Sequence, residues 1–222
     1  MDEIIKINNV SKGFNGVSIL NNINLNIKKG TTIGFIGANG SGKSVIFKLI
    51  CGLLQPDCGE IYIRGDQLGK KFDFPDNIGI VINKPGYINV YTGFQNLKFL
   101  AGIKNKIDDN KIKRTMELVG LDINNKTKVK HYSLGMKQKL GIAQAIMEDQ
   151  DIIILDEPFN ALDFKTSKDI RELIKSLKNK GNTILLTSHN HNDIEELCDE
   201  IYIIIDKEVK KLTDEIRSLY FK

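Results

Sequence analysis

The chain has 222 residues, 41% of them hydrophobic and 27% charged, which suits the core of one large domain. Lysine and arginine number 32 against 28 acidic residues, and the charges alternate along the chain, so composition gives no support to a nucleic-acid-binding protein. The three cysteines are odd in number and form no CxxC pair, which argues against a disulfide framework and is typical of reduced thiols in the cytosol.

The N-terminal part of the chain is predicted to be β-structure that leads into a glycine-rich loop. Apolar and polar residues alternate over 23–27, as in a half-buried strand. Gly52 provides a stop for the first helix. The elements expected on either side of the loop and beyond it are a strand at 32–36, a helix at about 43–51, and strands near 61–63 and 78–82.

The middle of the chain changes to helical periodicity, and three helix starts follow one another. These are a capping box at Thr92-x-x-Gln95, an N-cap at Asp108 or Asp109, and an N-cap at Ser133. The helices are expected to end near Leu100, Gly120 and Met147. We therefore predict a helical subdomain at about 84–150, inserted between two β-containing regions at about 1–83 and 151–222.

The last third of the chain alternates strands with helices. Strands are predicted at 152–155, 183–187 and 201–205, and helices at about 166–179, 193–197 and 213–220. This alternation indicates an α/β fold in which a mostly parallel sheet is flanked by helices.

The glycine-rich loop has the pattern of a phosphate-binding loop. Its residues are Gly37, Ala38, Asn39, Gly40, Ser41, Gly42, Lys43 and Ser44. Glycines allow the backbone to wrap so that successive N–H groups point inward, and the following helix adds the positive end of its dipole. Lys43 would reach the β- and γ-phosphates of a nucleotide, and the hydroxyl of Ser44 would bind Mg²⁺. A plain glycine-rich turn is the structural alternative.

Two acidic residues follow the apolar strand at 152–155. Ligands gather at the carboxyl ends of strands in open α/β sheets, which favours a functional role for Asp156 and Glu157. Asp156 would hold Mg²⁺ through its water shell, and Glu157 would polarise an attacking water molecule. A helix-capping acidic turn is the alternative, but the phosphate-binding loop in the same chain favours the functional interpretation.

The order of the motifs resembles that of ABC (ATP-binding cassette) ATPases over essentially the whole chain. After the phosphate-binding loop comes a serine-glycine turn, in which Ser133 and Gly135 match the family's signature motif, and then the Asp-Glu strand. The resemblance implies a single ABC ATPase domain over residues 1–222. Its fold would be a P-loop NTPase core with a mostly parallel sheet, an N-terminal antiparallel β subdomain and an inserted α-helical subdomain.

The resemblance also implies roles for residues outside these motifs. Phe14 occupies the place of an aromatic that stacks on adenine, Asp163 that of the D-loop at a dimer interface, and His189 that of the switch histidine. Val45 replaces the threonine that usually follows the loop serine, which removes a hydroxyl but keeps a nucleotide-binding N–H. Asn83 stands where glutamine is usual, and its shorter side chain places direct contact with Mg²⁺ in question.

The resemblance further implies a Mg²⁺-dependent ATPase that pairs with a second nucleotide-binding domain, either another copy of this chain or a close homologue. Each ATP would be bound between the phosphate loop of one domain and the signature turn, Ser133 in this chain, of the other. A transmembrane permease would be the further partner, since no apolar stretch of the chain is as long as a membrane span. The chain would then lie in the cytoplasm on the inner face of the membrane. Details of the signature and of residues 83–87 resemble bacitracin and lantibiotic exporters.

Three other functions are alternatives to transport. A soluble ABC ATPase acting on ribosomes, DNA or cluster assembly is the main alternative, but such proteins usually carry tandem cassettes or long coiled coils. A regulatory module that binds nucleotide without hydrolysis is disfavoured by the presence of both Glu157 and His189. A metallohydrolase site built on His189, His191 and Asp193 lacks enough further ligands, because the chain has only three histidines.

Overall fold

The computed structural model describes residues 3–82 and 86–220, which form two β-sheets with helices packed against them. The strands are β1 (Glu3–Phe14), β2 (Val17–Lys28), β3 (Thr32–Ile36), β4 (Cys58–Ile63), β5 (Asp66–Gln67), β6 (Ile78–Val81), β7 (Ile152–Leu155), β8 (Thr183–Thr187), β9 (Glu200–Ile205) and β10 (Glu208–Lys211). The helices are α1 (Lys43–Ile50), α2 (Gly93–Lys104), α3 (Asp109–Leu118), α4 (Leu134–Ile146), α5 (Phe164–Asn179), α6 (His191–Leu197) and α7 (Asp214–Tyr220).

The larger sheet has six strands in the order β10-β9-β3-β8-β7-β6, and all neighbouring strands are parallel except β10 and β9. The smaller sheet is antiparallel, in the order β2-β1-β4-β5. The predicted α/β fold class, with a mostly parallel sheet and an antiparallel N-terminal sheet, is therefore confirmed. The sequence did not predict β5 or β10, which are short and lack the apolar alternation of a core strand.

The central strands of the larger sheet are buried on both faces. Along β7, Ile152 and Ile154 pack into one hydrophobic cluster, whereas Ile153 and Leu155 pack into the other. A strand covered on both sides needs a continuous apolar run, which is the pattern that the sequence has there. Because Leu155 pairs with Leu186 in β8, the residues that follow β7 and β8 emerge side by side at one edge of the sheet.

Three helices, α2 to α4, lie between β6 and β7 in the sequence. The predicted capping box is present at Thr92 and Gln95, and α2 extends to Lys104 rather than ending near Leu100. Asp108, rather than Asp109, caps α3 by accepting a hydrogen bond from the backbone N–H of Lys111. Buried residues of all three helices belong to the same hydrophobic cluster as one face of the larger sheet.

The contact between β6 and α4 depends on a glycine. A Cβ placed on the buried Gly79 would lie 1.7 Å from the carbonyl oxygen of Ala145 in α4. We expect Gly79→Ala to lower the free energy of unfolding by at least about 2 kcal/mol, because the backbone of the helix must shift to admit the methyl group. Urea denaturation would measure this change.

Gly102→Ala is the matched control. Gly102 lies in α2, and no atom within 4 Å would meet its Cβ. The added methyl group should therefore stabilise the protein by about 0.5–1 kcal/mol, the usual advantage of alanine over glycine in a helix. Equal stabilities of the two variants would contradict close packing of β6 against α4.

Candidate active site

The predicted phosphate-binding loop joins β3 to α1 and wraps around the ammonium group of Lys43. Nζ of Lys43 donates hydrogen bonds to the carbonyl oxygens of Gly37, at 2.8 Å, and Ala38, at 3.1 Å. Gly42 precedes α1 with a φ of 110°, a conformation that favours glycine. Gly42 has no side chain to cap the helix, so the N–H groups of the first turn are available to an anion.

Asp156 follows β7 and connects the loop to the neighbouring strand. Its Oδ2 accepts a hydrogen bond of 2.5 Å from the Ser44 hydroxyl, and its Oδ1 accepts one of 2.9 Å from the hydroxyl of Thr187 at the end of β8. Oγ1 of Thr187 in turn accepts a hydrogen bond of 2.8 Å from the backbone N–H of Glu157. The parallel pairing of β7 and β8 therefore fixes both acidic residues against one threonine.

Glu157 faces His189 across the same edge of the sheet. The backbone N–H of His189 donates to Oε2 of Glu157 at 3.2 Å, and Nε2 of His189 lies 3.5 Å from Oε1. Oε1 is buried and accepts no hydrogen bond within the part of the chain that the structure describes. The backbone of Glu157 has a φ of 53°, which is uncommon for a residue other than glycine and occurs often at functional sites.

The surroundings of Glu157 change its acidity. Burial raises the pKa of its carboxyl group above the ordinary value, and the negative charge of Asp156 adds to this effect. The electrostatic influence of His189 and of Lys43 lowers this pKa without cancelling the effect of burial. A raised pKa brings a carboxylate closer to the value at which a general base works best near neutral pH.

Most of the predicted site residues line one cleft of about 730 Å³. They are Phe14, Asn39, Gly40, Gly42, Lys43, Ser44, Val45, Asp156, Glu157 and His189. Gly37, Ala38 and Ser41 instead line a neighbouring cavity of about 650 Å³, which shares Gly40 and His189 with the cleft.

Phe14 lies at the end of β1, where its ring can meet a flat ligand. The ring is 42% exposed, and the ammonium nitrogen of Lys12 lies 5.4 Å from its centroid. Lys12 also forms an ion pair of 2.5 Å with Asp57, which accepts a further hydrogen bond from the backbone N–H of Gly13. These contacts hold the β1–β2 hairpin that presents the ring to the cleft.

The serine-glycine turn lies against the start of α5. Ser133 caps α4 by accepting a hydrogen bond of 3.1 Å from the N–H of Met136, and its side chain is exposed. Gly135 is buried, and a Cβ at that position would lie 3.0 Å from the side chain of Thr166. Thr166 also hydrogen-bonds Asp163, which caps α5 and whose pKa these bonds hold below its ordinary value. Thr166 therefore joins the predicted signature turn to the predicted D-loop.

A family model described as ABC transporter matches residues 20–160 of the chain. The chain belongs to the ABC transporter family. Because the curated relatives are ATP-binding proteins of such transporters, the chain is the ATP-binding subunit, and its fold is that of an ABC ATPase cassette.

Relatives of this ABC ATPase cover most of its length. It is 42% identical to the uncharacterised ABC transporter ATP-binding protein YybJ of Bacillus subtilis, over 88% of this chain and 90% of the relative. It is 38% identical to the bacitracin transport ATP-binding protein BcrA of Bacillus licheniformis, over 97% and 70%. Identity to the lantibiotic transport ATP-binding protein SrtF of Streptococcus pyogenes is 36%, over 93% and 89%.

Solved ABC cassettes have the same fold. The dimeric ATP-binding cassette MJ0796, in a post-hydrolysis state bound to ADP and Pi, superimposes with a TM-score of 0.82 at 27% identity, over 94% of this chain and 99% of that one. The ATP-binding subunit of another ABC transporter gives a TM-score of 0.84 at 28% identity, over 98% and 93%. Within residues 3–82 and 86–220 of this ABC ATPase, no helix is long and apolar enough to cross a membrane.

Sequence reasoning missed several residues that line the cleft or support it from behind. Thr187 carries no motif, and only its place at the end of the strand beside β7 could have indicated its role. Ile19, Gln138 and Asn160 also line the cleft but belong to segments whose approach depends on the tertiary fold. Asn83, which the sequence analysis placed where glutamine is usual in the family, lies outside the described residues.

Proposed function

We propose that this ABC ATPase hydrolyses ATP in a Mg²⁺-dependent reaction and drives a membrane permease that exports antimicrobial peptides or drugs. The convergence of Lys43, Asp156, Glu157 and His189 in one cleft supports the hydrolytic part of the proposal. The resemblance to the bacitracin and lantibiotic transport proteins supports the export part. A soluble ABC ATPase that acts in translation, DNA repair or cluster assembly is the alternative, and no observation of the structure favours it.

Each group in the cleft has a proposed role in holding ATP. Phe14 stacks on the adenine with its exposed ring face, since stacking on an aromatic ring needs no particular hydrogen-bonding edge. The loop N–H groups bind the phosphate oxygens, Val45 contributing its backbone N–H, and Lys43 exchanges its carbonyl partners for the β- and γ-phosphates.

The residues around Asp156 fit a magnesium ion. Mg²⁺ prefers oxygen ligands and is usually bound by one or two protein groups together with phosphates and water. The adjoining oxygens of Ser44 and Asp156, which lie 2.5 Å apart across a hydrogen bond, supply a hydroxyl and a carboxylate for this purpose. The ion would neutralise charge on the triphosphate when bound.

Glu157 and His189 are the proposed catalytic residues. The free Oε1 of Glu157 can accept a hydrogen bond from an attacking water and so polarise it toward the γ-phosphate. His189 lies beside that oxygen, where its imidazole can contact both the water and the γ-phosphate.

We propose that the working unit contains two nucleotide-binding domains, as in the dimeric structure of MJ0796. The exposed Ser133 at the start of α4 would bind the ATP held by the phosphate loop of the other copy, together with the adjoining backbone at Gly135. Asp163 would lie at the same interface. In this arrangement residues 86–150 form a helical subdomain that presents Ser133 to the partner.

An exposed apolar patch on and before α2 supports a permease partner. It consists of Val90, Tyr91, Phe99 and Ile103, with the rings of Tyr91 and Phe99 6.2 Å apart. Phe99 and Ile103 are one helical turn apart and therefore share a face of α2. Exposed apolar patches of this kind mark protein interaction sites, and we place the permease here, at the cytoplasmic face of the membrane.

Co-purification tests the transport proposal. The tagged chain, purified from detergent-solubilised membranes, should bring a transmembrane protein with it, and Phe99→Asp should weaken this association without loss of ATP hydrolysis. Phe74→Asp is the matched control, because Phe74 is 64% exposed and Phe99 62%, but Phe74 lies between β5 and β6. A consistently soluble partner would instead favour the alternative function.

A further inference from the structure

A buried ion pair connects α5 to α6 behind the two proposed catalytic residues. Nε of Arg171 lies 2.6 Å from Oδ1 of Asp193, and the side chains are 20% and 3% exposed. We propose that this pair is a positioning device that holds the Glu157 and His189 segments at a fixed separation. The inference rests on the proposed roles of Glu157 and His189.

Asp193 holds the segment that contains His189. Its Oδ2 accepts a hydrogen bond of 3.2 Å from the buried hydroxyl of Ser188. The same hydroxyl oxygen accepts a hydrogen bond of 3.0 Å from the backbone N–H of Asn190. The residues on both sides of His189 are thereby connected to one buried carboxylate.

Arg171 holds the segment that contains Glu157. Its guanidinium carbon lies 5.5 Å from the centroid of the Phe159 ring, within the range of a cation–π contact. Phe159 belongs to the turn that begins at Glu157, in which the N–H of Asn160 donates to the carbonyl oxygen of Glu157 at 3.2 Å. Arg171 is therefore coupled to the backbone on which the proposed general base is mounted.

The charges of Arg171 and Asp193 join the two halves of this arrangement, on the side of the segments away from the direct contact between His189 and Glu157. A buried pair gains little net stability over well-packed apolar residues, so stability alone is a weak reason for its presence. The same two helices are already joined at the surface, where Lys175 and Glu196 lie 2.7 Å apart. The buried pair differs from the surface pair in what it contacts. Asp193 is hydrogen-bonded to Ser188, next to His189, and Arg171 lies against Phe159, in the turn that begins at Glu157.

Asp193→Asn tests the inference, because asparagine keeps the size of the side chain and removes the charge. We expect kcat for ATP hydrolysis to fall about 10- to 100-fold, since a displacement of about 1 Å between catalytic groups has an effect of this order. KM and the affinity for ATP should change little, because among the described residues neither the phosphate-binding loop nor Phe14 forms a hydrogen bond or ion pair with Arg171 or Asp193. Glu196→Gln, which breaks the surface pair between the same helices, should leave kcat unchanged.

The double variant Arg171→Met/Asp193→Asn separates positioning from the cost of an unpaired buried charge. This double variant has neither member of the ion pair, so no buried charge is left without a partner. It also lacks both the ion pair and the cation–π contact with Phe159, so its kcat should stay as low as that of Asp193→Asn. A return to the wild-type kcat in the double variant would overturn the inference, as would an unchanged kcat in Asp193→Asn.

Glu157→Gln is measured in parallel to separate this inference from the proposed function. If Glu157→Gln also retained hydrolysis, the proposed catalytic roles would be wrong. If Glu157→Gln were inactive while Asp193→Asn stayed fully active, only the positioning role of the ion pair would be contradicted.

Discussion

Replacing Glu157 with glutamine is expected to lower the rate of ATP hydrolysis by about 10²- to 10⁴-fold while ATP binding is retained. A positioned general base contributes a factor of this size, and an amide cannot take up the proton that a carboxylate accepts. The side chain keeps its length, so the contact with the backbone N–H of His189 can be made by the amide oxygen. With ATP bound but not hydrolysed, two copies should stay closed around it.

Steady-state release of phosphate measures the rate of hydrolysis. The molecular mass in the presence of ATP shows whether two copies stay together around the bound nucleotide. Glu117→Gln, the same change at an exposed position on α3, is the control and should behave as the wild type. Unchanged hydrolysis by Glu157→Gln would remove Glu157 from the role of general base.

The thermal stability of Glu157→Gln tests whether the pKa of Glu157 is raised in the folded protein. Because the folded-state pKa lies above the unfolded value, ionisation of this carboxyl group begins to oppose folding as the pH rises above the unfolded pKa, and the full cost is reached above the raised folded-state pKa. Glu157→Gln should therefore raise the melting temperature of the nucleotide-free protein at neutral pH. The difference should vanish at acidic pH, below the unfolded pKa, where the wild-type carboxyl group is neutral in both states.

Replacing Lys43 with alanine is expected to weaken ATP binding by at least about 100-fold. Lys43 is buried and donates two hydrogen bonds in the loop, and a phosphate oxygen in place of each carbonyl would form a charge-assisted bond. Such bonds contribute about 1.5–3 kcal/mol each, and each 1.4 kcal/mol is a factor of ten in affinity. Calorimetric titration with MgATP measures the loss.

Lys48→Ala is the control for this titration, because Lys48 lies on the same helix but does not line the cleft. Retained affinity in Lys43→Ala would overturn the assignment of the phosphate-binding loop.

Mixing the Lys43→Ala and Ser133→Ala variants tests whether the two copies share each ATP site. If each ATP needs Lys43 from one copy and Ser133 from the other, mixed dimers contain one intact site and recover part of the hydrolysis that either variant lacks alone.

The features that the sequence predicted correctly are those that a short segment of the chain determines by itself. The loop around Lys43, the caps at Thr92 and Ser133, and the buried run of β7 are all encoded within a few neighbouring residues. The fold class followed from the alternation of such segments, and the match to the ABC transporter family agrees with the order of the motifs.

The features that the sequence did not predict depend on pairing between distant segments. Thr187 contacts Asp156 only because β7 and β8 lie parallel in a particular register. Arg171 and Asp193 are unremarkable charges on two helices until the helices pack and bury them. Both kinds of contact require the tertiary structure, because neither strand register nor helix packing can be determined from local periodicity.

The contacts of Lys43 with the carbonyl oxygens of its own loop have a consequence for anion selectivity. An incoming phosphate must displace the carbonyl oxygens of Gly37 and Ala38 from Lys43, so one isolated anion gains less than the full strength of its charge-assisted bonds. Chelation by several linked phosphates can outweigh that exchange, because the later contacts form within an already bound molecule. The loop should therefore discriminate between anions by the number of linked phosphate groups, and free phosphate should be a poor competitor of ATP.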